Sequence, residues 1–101
     1  YSLVIDGGGT ASIRVRSNEF NPVIFPNPSN QGIFTLKWSN PEKHQEIEIM
    51  DIYGKNIFSV EAGNFSNSID INLSDKNPAK GIYFVNIKGQ KNSSVIKLII
   101  Q

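Results

Sequence analysis

Residues 81–88 alternate with a period of two, and residues 93–100 repeat the pattern immediately afterwards. In the first run Tyr83, Val85 and Ile87 face one way while Asn86 and Lys88 face the other, the spacing of a β-strand rather than a helix. Ile82, Val85 and Ile87 are β-branched and Tyr83 and Phe84 are aromatic, types that fit a pleated, half-buried surface. Ile82 and Phe84 load the second face as well. That predicts a strand in the middle of a sheet, covered on one side and partly shielded on the other. A turn at residues 89–92 then returns the chain into Val95, Ile96, Lys97, Leu98, Ile99 and Ile100, so the C-terminal segment is expected to be core structure rather than a tail.

The same alternation recurs upstream. Phe34, Leu36 and Trp38 oppose Thr35 and Lys37; Ile47 and Ile49 oppose Glu46 and Glu48; Ile69, Ile71 and Leu73 oppose Asp70 and Asn72. Residues 55–61, with Ile57, Phe58 and Val60, add a further strand. Asp51 and Gly54 stand at the first and fourth positions of a four-residue stretch, the choice of a type I turn. Pro26 and Pro28 fix the backbone twice, so residues 23–29 are expected to form an edge strand that leaves its sheet at Pro26. Residues 74–80 form a crossover loop, and no segment carries the 3.6-residue period of an amphipathic helix. Seven strands from residue 22 onward, punctuated by regular turns, predict an all-β fold, a seven-stranded immunoglobulin-like antiparallel β-sandwich.

Residues 2–16 read as a separate hairpin around Gly7, Gly8 and Gly9, because no Gly-Lys-Ser/Thr follows to make a phosphate loop. Residues 17–21 are polar apart from Phe20 and read as a spacer. Residues 1–21 are therefore expected to close a preceding domain and link it to the domain of residues 22–101. The chain opens at Tyr1 without a signal peptide's pattern, which suggests a piece of a longer protein.

Composition removes several functions. Ten Lys and Arg against nine Asp and Glu give a net charge of +1, and the basic residues are scattered singly, so the clustered cations that nucleic acid requires are missing. With no cysteine, a thiolate nucleophile and a Cys-ligated metal are excluded. No apolar run is long enough to span a membrane as a helix.

Catalytic signals are equally thin. His44 is the sole histidine and sits in a polar loop. Glu46 and Glu48 lie side by side on one strand, whereas paired carboxylates normally flank a bond from opposite sides. Asp51 and Asp70 are hard oxygen donors suited to calcium, but no Asp-rich loop accompanies them, and Asp51 is better explained by backbone bonds in its own turn. Neither a metal nor a cofactor is implied, and the reading is non-enzymatic. Among the aromatics, Trp38 shares a face with core residues, Tyr53 sits at a turn, and Tyr83 is expected to bury its ring with its hydroxyl bonded at the rim.

The order of these signals resembles a known family. Pro26, Asn27 and Pro28 come first; then Ile47, Ile49, Asp51, Gly54 and Lys55; then Ile69, Ile71 and Leu73; then Gly81 and Tyr83; and finally Lys97. Residues 23–101 are similar to the type A C-terminal sorting domain of proteins exported by the type IX, or Por, secretion system of Bacteroidota. The resemblance implies an immunoglobulin-like sandwich that directs an N-terminal cargo domain in the same chain through the periplasm and the outer-membrane translocon. It further implies removal by a sortase-like peptidase, near residues 17–21 here, and attachment to surface lipopolysaccharide or release. Its recognition motif falls on Pro26, Asn27, Pro28, Asp51, Gly54, Gly81, Tyr83 and Lys97. The competing reading is a carbohydrate-binding β-sandwich appended to a secreted enzyme, with Trp38 or Tyr53 as its platform.

Overall fold

The computed structural model describes residues 20–101, and within them each alternating segment forms a strand. In chain order these are β1 Val23–Asn30, β2 Ile33–Lys37, β3 Gln45–Met50, β4 Asn56–Glu61, β5 Ser68–Asn72, β6 Gly81–Gly89 and β7 Ser93–Ile100. One turn of 3-10 helix, Ser74–Lys76, interrupts the crossover from β5 to β6. The hairpin expected at residues 2–16 lies outside the described residues.

The strands follow the order β4-β3-β6-β7-β1-β2-β5. Four of them (β4, β3, β6, β7) make one antiparallel half, and three (β1, β2, β5) make the other. Inward side chains of both halves meet in a single hydrophobic cluster. Phe34, Leu36 and Ile71 come from the smaller half, and Ile47, Ile49, Val85, Ile87 and Leu98 from the larger. Burying a side chain of this size is worth about 1.5–3 kcal/mol, so the alternation fixes which face each strand turns inward. The fold is the all-β sandwich expected from the sequence. β6 lies between β3 and β7 as its two-sided load predicts, with Val85 and Ile87 fully buried, Phe84 half-buried and Ile82 44% exposed on the outer face.

One pairing departs from the antiparallel expectation. β1 runs antiparallel to β2 over Val23–Phe25 and then lies parallel to β7, with Ser29 opposite Ile100. The cause is local: Pro26 and Pro28 have no N–H to give to a ladder, so pairing with β2 breaks after Phe25 and returns only at Asn30, opposite Ile33. Both Phe25–Pro26 and Asn27–Pro28 peptide bonds are cis. Beyond the prolines the Gln101 N–H donates to the Ser29 carbonyl at 2.9 Å and the Gln31 N–H to the Gln101 carbonyl at 3.0 Å. β1 therefore sits at the edge of each half and sews them together.

Phe20 departs from the polar spacer expected at residues 17–21. Its side chain is fully buried in the shared cluster. Its N–H donates to Ser94 Oγ at 3.2 Å, and its carbonyl accepts the Ser39 N–H at 2.6 Å. Polar neighbours concealed an apolar residue whose partners lie up to 74 positions away.

Candidate recognition site

The motif residues collect in two neighbouring places. The first is the seam between β1 and β7. Asn27 Nδ2 donates to the Lys97 carbonyl at 2.9 Å, and Asn27 Oδ1 accepts the Ile99 N–H at 3.0 Å. That is the bond pair a backbone peptide makes against a parallel strand, supplied here by a side chain between two prolines that cannot make it. Pro26, Asn27, Pro28 and Lys97 are thus brought together. Lys97 is exposed on the outer face while Leu98 beside it is fully buried. Across the smaller half the Lys37 ammonium stands 5.8 Å from the Phe25 ring centroid, within cation–π range.

The second place is the end of the sandwich where β3 stops and β6 starts. Asp51 opens the β3–β4 turn. Its Oδ1 accepts the N–H groups of Tyr53 at 2.9 Å and Lys55 at 3.0 Å, while its carbonyl accepts the Gly54 N–H at 3.0 Å. Gly54 holds φ at +83°, a region other residues enter at a penalty, which explains the glycine. Gly81 opens β6 at φ +147°, again a conformation that L side chains rarely adopt. Two residues on, Tyr83 buries its ring, and its hydroxyl donates to the Ala79 carbonyl at 2.5 Å, tying the crossover to β6. Asp51 and Tyr83 line one open groove at this end. The strand registers Gly81–Ile100 and Ile82–Ile99 set the two places only a few residues apart.

Other sequence candidates are placed elsewhere. Trp38 is 4% exposed and its Nε1 donates to Gln45 Oε1 at 2.8 Å, so it is core and offers no sugar platform. Tyr53 is exposed. Glu48 pairs with Lys88 at 3.2 Å, and Glu46 lies opposite Glu61 on β4 and Lys88 on β6. Asp70 accepts the Thr35 hydroxyl at 2.7 Å and is remote in fold from Asp51. Among the described residues no group of three or more His, Asp or Glu side chains converges as a metal would require.

Two residues unmarked in the sequence organise the opposite end. The Glu42 carboxylate accepts the N–H groups of Gln90 at 2.5 Å, Lys91 at 3.1 Å and Asn92 at 3.1 Å, and also Asn92 Nδ2 at 3.1 Å. Successive amides converging on one anion form a nest, and Glu42 fills it from the β2–β3 loop. Gln45, 2% exposed, accepts from Trp38 Nε1 and the Glu42 N–H and donates to the carbonyls of Ala62 and Ser66. Only a glutamate and a glutamine in a polar loop are visible in the sequence. The signal that could have found Gln45 is its position in step with Ile47 and Ile49 on the buried face.

The sequence matches the family described as "Secretion system C-terminal sorting domain" over residues 23–101. Among solved structures it is similar to PorZ, described as an essential bacterial surface component of the type-IX secretion system of human oral-microbiomic Porphyromonas gingivalis. The TM-score is 0.62 at 19% identity, over 79% of this chain and 11% of that one, a likeness of fold. No curated protein matches. With the family match spanning the whole sandwich, both motif clusters included, the chain belongs to the type IX C-terminal sorting domains, the signals that address a protein for export across the outer membrane.

Proposed function

We propose that residues 20–101 act as a folded, non-catalytic address, read as a completed shape by the outer-membrane translocon. The observation that carries this reading is the bridge from Asn27 to Lys97 and Ile99. It joins the first strand of the domain to the last, so the sandwich closes only when both ends are in place. A machine that binds the closed shape thereby tests whether the domain is whole. Pro26, Asn27, Pro28 and Lys97 then form the seam, while Asp51, Gly54, Gly81 and Tyr83 hold the backbone at the neighbouring end. Lys97 supplies the exposed charge.

Cargo precedes the domain in the same chain, and a sortase-like peptidase removes the domain after transit, leaving cargo attached to surface lipopolysaccharide or released. The buried Phe20 supports a cut on its N-terminal side, since a peptidase needs extended backbone and Phe20 leaves the core only if the fold opens. Residues 1–19 would then remain with the cargo.

The test is to fuse residues 18–101 to an inert fluorescent cargo in a type IX-competent host. Export of the fusion, and periplasmic retention once residues 95–101 are deleted, is the expected pair of results. Normal export of the truncated fusion overturns the reading.

A further inference from the structure

We infer that Phe20 is a latch on the entry to β1, that it opens while the rest of the sandwich stays folded, and that its opening governs when the junction with the cargo is cut. The last clause rests on the processing proposed above. Two bonds close the latch. The Phe20 N–H donates to Ser94 Oγ on β7 at 3.2 Å, and its carbonyl accepts the N–H of Ser39, just past the end of β2, at 2.6 Å. The first partner belongs to the larger half and the second to the smaller, and the Phe20 ring is fully buried in the cluster the halves share. Ser94 is itself 2% exposed, a serine on the inward face of β7 in step with Leu98 and Ile100.

Three features make this the part of the domain that opens first. Asn21 holds φ at +47° immediately before Pro22. A residue preceding proline is driven towards extended backbone, so the closed latch stores strain that opening releases. Between Phe20 and Asn27 no hydrogen bond ties β1 to β7 among the described residues, because their pairing is confined to Ser29 and Ile100. Beside the latch an open groove of about 340 Å³, lined by Asn21, Pro22, Val23, Val95 and Ile96, parts the two strands. Peeling residues 20–22 away therefore gives up the buried ring and the bonds to Ser94 and Ser39, and leaves every strand pairing from Val23 onward in place.

A peptidase takes up residues on both sides of the bond it cuts as extended chain, so the bond between residues 19 and 20 is closed to it while Phe20 sits in the core. Hydrolysis of that bond consumes one water, leaves a carboxylate on residue 19 and frees the Phe20 nitrogen as an amine. Transfer to another nucleophile frees the same amine. When closing outpaces cleavage, the rate follows the open fraction of the latch. Ser94 is a positioning residue in this scheme: it sets the open fraction through the bond it accepts and does not touch the bond that breaks. Removing its hydroxyl penalises only the closed latch. A core substitution far from it weakens the closed and the locally open states alike, which separates a latch from a general loss of stability.

The experiment treats the full 101-residue chain with thermolysin, which cuts before large apolar residues, and follows by mass spectrometry the fragment that begins at Phe20. In the parent this fragment should form well below the urea midpoint, at a rate that rises far less steeply with urea than global unfolding does. Ser94→Ala strands the Phe20 N–H in the core and should form the fragment about tenfold faster. Ile71→Val, in the core of the smaller half, should lower the urea midpoint and leave the rate in low urea unchanged. Acceleration by both variants in step with their stabilities, or a parental rate as steep in urea as global unfolding, overturns the latch. In a type IX-competent host, an exported cargo fusion carrying Ser94→Ala should lose its domain faster than the parent fusion. Equal rates of loss overturn the gate on processing. A parent fusion that is exported and keeps its domain overturns the processing reading and the gate with it, while the latch is decided by thermolysin alone.

Discussion

The side chain of Asn27 replaces a stretch of backbone against Lys97, donating to its carbonyl at 2.9 Å and accepting the next-but-one N–H, that of Ile99, at 3.0 Å. This relation explains why an asparagine stands between two prolines. The prolines interrupt the ladder to β2, and only a primary amide offers a donor and an acceptor with the spacing of a peptide group.

Asn27→Ala should therefore loosen the β1–β7 seam. Two exposed hydrogen bonds are lost and water replaces part of each, so the expected destabilisation is about 1–2 kcal/mol. Asn27→Asp keeps the acceptor for Ile99 and loses the donor to Lys97, and should fall between the two. Amide exchange at Ile99 is the sensitive readout, because its protection depends directly on Asn27 Oδ1.

Glu42 and Gly89 are predicted to act as one unit. A Cβ on Gly89 would come within 2.5 Å of the Glu42 carboxylate, so Gly89→Ala should expel the clamp from the β6–β7 turn. Glu42→Ala removes charge-assisted bonds to three backbone amides and is expected to cost about 2–3 kcal/mol in this partly exposed site. The double variant should be little worse than the worse single one. Urea unfolding of the four proteins gives the coupling energy, and simple additivity would show the two are independent.

How much of this was legible in the sequence depends on the range of the interaction. The strands, their inward faces, the Asp51–Gly54 turn and the buried ring of Tyr83 follow from period and local turn chemistry, which a few adjacent residues encode. Glu42 reaches residues 48–50 positions away, Asn27 reaches 70 and 72, and Phe20 reaches 74. No local pattern reports partners at that separation. The switch of β1 between halves was half visible: the prolines showed where it leaves β2, and nothing showed that β7 receives it.

Gly81→Ala should destabilise the domain through backbone conformation alone. Among the described residues nothing lies within 4 Å of a Cβ at this position, yet φ is +147°. A penalty of about 1–2 kcal/mol is expected, with no change in the core packing of Val85 or Ile87. Thermal unfolding and methyl NMR spectra together separate strain from repacking.

Ser29→Ala is expected to go the other way. Its hydroxyl is fully buried and has no hydrogen-bond partner among the described residues, so removing the oxygen relieves an unsatisfied group. The variant should match or exceed the parent by up to about 1 kcal/mol. Its backbone carbonyl, which accepts the Gln101 N–H, is untouched.

The sorting role itself rests on the closed sandwich being what the export machinery reads. Leu98, fully buried in β7, offers a way to open the fold while leaving Lys97 and the other motif side chains in the sequence. The exported fraction of a fluorescent cargo carrying Leu98→Asp should be compared with that of the parent fusion in the same type IX-competent host. Export of the parent with periplasmic retention of Leu98→Asp is the predicted result. Equal export of the two, with Leu98→Asp unfolded by circular dichroism, would show that a linear motif is read and contradict a folded address.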